Sequence, residues 1–171
     1  MTPDERKLIL SLVVAPGRNR DGSPEEVLRH FGTDDGQALG SSLLRDAVER
    51  QDELDVEAAL IICFAFGFTQ DHLEPLMQLC SADWHFKHED VVTGLGKLNS
   101  PDAVEALYQA TQSIPEYLDY DESRALAAKA IWALGGTSGP ESEQALVRIL
   151  DSDSEILRNA AQAQIERRAK L

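Results

Sequence analysis

Positive charge is scarce in this sequence relative to negative. Its 171 residues carry 16 Lys plus Arg against 30 Asp plus Glu, a formal net charge of -14, and the excess lies in the first four-fifths of the chain. Such a chain repels a phosphate backbone and lacks the counterion release that drives nucleic-acid binding, so no nucleic-acid ligand is expected. Cysteine is almost missing too. Cys63 and Cys80 stand in separate apolar stretches without disulfide or zinc spacing, and they read as small hydrophobes of a core. Long hydrophobic runs are absent: the longest, Ala58 to Phe68, is about half of what a membrane span needs. The acidic opening Met1-Thr-Pro-Asp-Glu is unlike a secretory signal, so a soluble, cytoplasmic chain with no membrane partner is expected. No alternating strand pattern survives, because Gly and Pro fall between helical stretches. A serine elbow, a glycine-rich phosphate loop and a Cys–His pair at a credible spacing are all lacking. That leaves no catalytic residue and no cofactor to predict.

What is present is a repeat. Segments through Ala65-Phe66-Gly67, Gly94-Leu95-Gly96, Ala133-Leu134-Gly135 and Ala163-Gln164-Ile165 align, with a period near thirty residues and about ten inserted in the middle copy. Each glycine is expected to close a helix in a left-handed conformation. Ser100-Pro101-Asp102 and Gly139-Pro140-Glu141 then place proline at a first helical position, where its missing N–H does no harm. Apolar residues follow at helical spacing: Val104, Leu107 and Tyr108 in one copy, Leu146, Ile149 and Leu150 in the next. The second helices carry Ala127, Ala130, Ile131 and Leu134, matched by Ile156, Ala160, Ala161 and Ile165. Upstream, Ser23-Pro24-Glu25-Glu26 is a capping box opening a helix through Phe31, and 37–48 and 55–66 read as two more. The run Leu60 to Phe66 is apolar all round, as for a helix sandwiched between neighbours. Residues 4–7 lead into a terminal helix, and 16–22 is the expected mobile loop.

Leu134-Gly135, Glu143-Gln144-Ala145-Leu146 and Leu150-Asp151-Ser152-Asp153-Ser154-Glu155-Ile156-Leu157-Arg158-Asn159-Ala160-Ala161 resemble the HEAT-like repeat named after phycobilisome lyases. The stretches 83–90, 117–121 and 131–135 look like uncharacterised bacterial HEAT-repeat proteins, some of which are thought to be toxin immunity proteins. The resemblance is good over 73–171 and poor over the first seventy residues. It implies an all-α fold, a right-handed α-solenoid of antiparallel helix pairs with about nine or ten helices. The expectation is a single domain over 1–171, divergent over 1–70 and clearer over 71–171, with an insertion near 113–122. Families with this repeat have many functions, so fold alone decides little.

Two constellations remain. His85, His88, Glu89 and Asp90 cluster at the start of one helix. His85 and Glu89 share a face and could form a two-residue metal site, but a catalytic metal generally takes at least three protein ligands. The repeat alignment sets His88 beside Ala127 and Ile156, in a stripe of Trp84, His88, Val91, Leu95 and Leu98, which makes it a buried histidine satisfied by hydrogen bonding. The same alignment stacks Asp90, Lys129 and Arg158 as an ion-pair ladder. The second constellation is the insertion Ile114-Pro115-Glu116-Tyr117-Leu118-Asp119-Tyr120-Asp121-Glu122, acidic and bearing two tyrosines. Such a loop can anchor a cationic partner, or its tyrosines can pack back while Asp121 caps the next helix; one tyrosine inward and one outward satisfies both.

Partner-binding residues are therefore expected at Trp84, His85, Glu116, Tyr117, Asp119, Tyr120 and Asp121. The expected function is non-enzymatic contact with a basic protein, either an immunity protein plugging a basic toxin or a general adaptor. A metal-dependent enzyme using His85, His88 and Glu89 is the alternative. Oligomeric state leaves no trace in the sequence.

Overall fold

A computed structural model describes residues 1–13 and 22–170. The loop expected over 16–22 lies outside them, apart from Gly22. Among the described residues the chain is all-helical, with ten α-helices, three short 3-10 turns and no strand. None of the helices is long and apolar enough to cross a membrane. Two compact units divide the chain, Met1–Pro75 and Leu76–Leu171, close to where the divergent and the clearer repeats were expected to meet.

The first unit holds α1 (Pro3–Leu10), α2 (Pro24–Phe31), α3 (Gly36–Arg50) and α4 (Glu53–Phe66). Each opens on a side-chain oxygen that accepts an orphan backbone N–H: Thr2, Ser23, Asp35 and Asp52 in turn, the signal that sets a helix start. Ile9, Leu12, Val27, Ala58 and Ile62 form the core between them. The apolar run of α4 is not covered all round. Phe64 and Ala65 are exposed, while Leu60, Ile62 and Cys63 are buried and Ile61 and Phe66 pack partly buried against the core.

Buried in this unit is a charge. Asp55 has no exposed side-chain surface and accepts from Arg6 Nη1 at 2.8 Å, Arg50 Nη2 at 2.7 Å and the α-amino group of Met1. Burial pushes its carboxyl upward, but hydrogen bonds from the α-amino group and Arg6 outweigh this and hold it below its ordinary 3.8.

After α5 (Leu73–Cys80), within which the division between units falls, the second unit holds α6 (His88–Leu98), α7 (Val104–Gln112), α8 (Ala125–Gly136), α9 (Pro140–Ile149) and α10 (Glu155–Arg168). Pro101 and Pro140 stand in the first turns of their helical segments as expected. Helix α8 packs against α6, α7, α9 and α10, presenting Leu126, Ala127, Ala130, Ile131 and Leu134 as buried residues. Gly96 and Gly135 do not end helices: they lie within α6 and α8, and α6 closes on left-handed Asn99. Their role is close approach. A Cβ at Gly96 would stand 3.0 Å from the Ala133 Cβ, and one at Gly135 would collide with the Gln164 side chain.

The phase of α10 also differs from the aligned one. Its buried residues are Leu157, Ala161 and Gln164, whereas Ile156 is 45% exposed. Arg168, on the same face, sets this phase by donating from Nη1 to the Thr137 carbonyl at 2.9 Å and to Ser142 Oγ at 2.7 Å. The ladder fails for a related reason. Lys129 pairs with Glu89 at 2.7 Å rather than with Asp90, and Arg158 turns to the Ser152 carbonyl at 2.6 Å.

Replacing Asp55 by Ala leaves the buried α-amino group of Met1 without its carboxylate and takes one of two carboxylate partners from Arg6 and from Arg50, and should cost about 3 kcal/mol, read as a lower urea midpoint. Asp46→Ala, which removes an exposed i,i+4 partner of Arg50, should cost less than about 1 kcal/mol. Because Asp55 is held below its ordinary value, its contribution is present above pH 4 and is lost as pH falls through the folded value.

Candidate functional site

Helix α5 ends with carbonyls that have no partner further along the helix. Two histidines that follow it, His85 in the loop and His88 at the start of α6, turn back to carbonyls of the last turn of α5 and of the loop just beyond it. His85 Nε2–H donates to the Leu79 carbonyl at 2.8 Å, and His88 Nε2–H donates to the Ala82 carbonyl at 2.7 Å. The two rings lie nearly parallel, 4.2 Å apart between centroids. His85 Nδ1 accepts the backbone N–H of Lys87 at 3.0 Å, which fixes this imidazole as the neutral Nε2–H tautomer. His88 Nδ1 faces the Tyr117 hydroxyl at 3.1 Å, and that hydroxyl also accepts the backbone N–H of His88 at 3.2 Å.

Both imidazoles are buried, His85 to 1% exposure. Burial pushes the pKa of His85 down to about 4, against a smaller upward pull from the Leu79 carbonyl, with the neighbouring His88 adding to the fall. His88 is lowered for the same first reason. The Tyr117 hydroxyl is raised, mainly by its own burial. The pair is thus expected to be uncharged at neutral pH, and its ring nitrogens are engaged by the protein itself. Among the described residues no group of three or more His, Cys, Asp or Glu side chains is placed to hold a metal ion.

Tyr117 belongs to the insertion, which enters a 3-10 turn over Glu116–Leu118 before α8. Leu118 is buried beneath it, and Asp121 caps α8, accepting from the backbone N–H of Ala125 at 2.6 Å and of Ser123 at 3.0 Å. These bonds to Ser123 and Ala125 hold the Asp121 carboxyl below its ordinary value. The insertion is therefore tied down at three places and projects Tyr120, 81% exposed, between them.

Between this loop, the 81–88 turn and α7 lies a cleft of about 1090 Å³. Phe86 and Tyr117 form one wall, their rings 5.3 Å apart and at 87°. Ile114, Pro115 and Met77 add apolar surface, while Gln109 and Gln112 of α7 add amides. Its charged lining consists of Asp83, Glu105 and Glu116, with no lysine or arginine.

The chain matches no protein-family model and no curated protein. The site is read from its own geometry, which gathers His85, Glu116 and Tyr117 of the sequence-predicted residues into the cleft. His85 is there as a buried support. Trp84 is half-buried and edge-on to His85 at 5.3 Å, which is short of the core position that the stripe assigned it. Trp84, Asp119, Tyr120 and Asp121 do not line the cleft. Sequence reasoning missed Glu105, Gln109 and Gln112, whose i, i+4, i+7 spacing marks the polar face of α7. It also missed Phe86, an aromatic between two histidines with no helical register to bury it.

Since burial lowers both histidines below their ordinary 6.5, His85 to about 4, the unfolded chain binds more protons than the folded one as pH falls below 6.5. Their stabilisation is complete above pH 6.5 and is lost as pH falls, with a slope of up to about 1.4 kcal/mol per pH unit for each. His72 in the other unit shifts in the same direction, so the site's share is the difference in slope between wild type and His85→Gln in urea unfolding. Equal slopes would show that His85 titrates as an ordinary imidazole.

Proposed function

We propose that the chain is a protein-binding module that works by contact rather than catalysis, and that its partner is basic. The observation that carries this reading is the cleft, whose charged lining is wholly acidic and whose apolar wall stands open to solvent. A net charge of -14 extends the same sign over the chain, which speeds the approach of a cationic partner. The fold belongs with this proposal as a right-handed α-solenoid of antiparallel helix pairs of the HEAT-like kind. What supports it is the packing of α8 on both α6 and α10, together with that of α7 on α9, as stacked repeats require.

Two members of this class use the same surface. An immunity protein would silence a basic toxin when bound; an adaptor would leave its partner active. Either is expected to act in the cytoplasm. Metal-dependent catalysis is the weaker reading, because the nitrogens of His85 and His88 already serve Leu79, Lys87, Ala82 and Tyr117.

Charge reversal at Asp119 and Glu122, both exposed, tests the proposal. With the wild-type chain as bait, a basic protein should be retained, and D119K/E122K should weaken it about tenfold without changing the melting temperature. Unchanged affinity, or a partner that is not basic, would contradict the reading. Asp121→Ala should instead lower the melting temperature through loss of its bond to the first backbone N–H of α8.

A further inference from the structure

We infer that the cleft between Phe86, Tyr117 and α7 receives one extended segment of the partner, carrying an arginine next to a bulky apolar side chain. This rests on the protein-binding reading above and assigns its recognition element.

Three features point to arginine. Phe86 and Tyr117 meet edge to face at 87° and Phe86 is 56% exposed, so ring surface with the negative quadrupole that attracts a cation is left open at the cleft. Asp83, Glu105 and Glu116 line the same cleft. A planar guanidinium can stack on a ring face and fork to a carboxylate at once, whereas an ammonium cannot do both. Glu105 already lies 3.8 Å from Arg148, but both side chains are more than half exposed, and a loose pair of this kind is readily exchanged for a closer one.

Other features point to a segment rather than a free small cation. The cleft's 1090 Å³ exceeds what one side chain fills. Phe86 and Ile114 are 56% and 47% exposed, and neighbouring exposed apolar groups in a concave site favour an apolar occupant. Gln109 and Gln112 donate from Nε2 to Glu105 and Thr111 at 2.7 Å each. Their amide groups thus offer acceptors to the N–H groups of an extended backbone. The tyrosine is also pre-positioned. Its hydroxyl is held by His88, so little ordering is left for binding to impose.

The test uses the full chain and a capped twelve-residue peptide holding a single Arg-Leu pair in a Gly/Ser background, followed by NMR titration. Shifts confined to Phe86, Gln109, Ile114 and Tyr117 are expected, with about tenfold weaker binding by E105Q/E116Q and by Phe86→Ala. Peptides with citrulline for arginine, or alanine for leucine, should lose at least as much. The inference is overturned by shifts elsewhere, by equal binding of the citrulline peptide, by capped arginine amide binding as tightly as the peptide, or by no shift at millimolar peptide. It also falls if a captured basic partner binds F86A and E105Q/E116Q as well as wild type; in that case the protein-binding reading survives. Because the substituted side chains are exposed, unchanged far-ultraviolet dichroism is expected for each variant.

Discussion

Two neutral imidazoles donate to carbonyl oxygens at and just beyond the end of α5, and one of these, that of Leu79, also accepts the backbone N–H of Ala82. Everything that shapes the cleft depends on that exchange. His85 and His88 stack in order to reach the Leu79 and Ala82 carbonyls. The stacked pair turns the 81–88 segment and presents Phe86 outward. His88 then holds Tyr117 from a position 29 residues distant in sequence, which fixes the insertion against the cleft. A charged imidazole at either place would lose an acceptor atom that a backbone N–H or a hydroxyl is using.

Helix placement was legible where local chemistry decides it. Ser23-Pro24 opened α2 and Phe31 closed it as read, and proline marked the first turn of α9. One tyrosine inward with the other outward, and Asp121 as a cap, also followed from composition and spacing, but that Tyr117 is the inward one did not. What failed depended on distance. In α10, Ile156 and Leu157 are neighbours that fit the periodicity equally well, and only the reach of Arg168 to the end of α8 selects Leu157. Glycine signals both a helix end and a close crossing; Gly96 and Gly135 serve the second use because Ala133 and Gln164 lie opposite. The cleft was illegible because its wall joins residues from α5, the 81–88 turn, α7 and the insertion, which no single window of sequence contains.

Two buried polar centres among the described residues play different parts. Asp55 gathers cations to close the first unit, a structural use of charge. The histidine pair stays uncharged and leaves charge to the rim, where Asp83, Glu105 and Glu116 face solvent. An acidic rim of this kind complements the basic partner proposed above: attraction at the rim would set approach while apolar burial would set retention.

The tautomeric state of the two imidazoles is the most direct measure of this account. Long-range ¹H–¹⁵N correlation spectra at pH 7 should show His85 and His88 as neutral Nε2–H tautomers, with His88 Nδ1 accepting from the Tyr117 hydroxyl. An Nδ1–H tautomer or an imidazolium at either residue would contradict it, because the loop that frames the cleft would then be held in some other way.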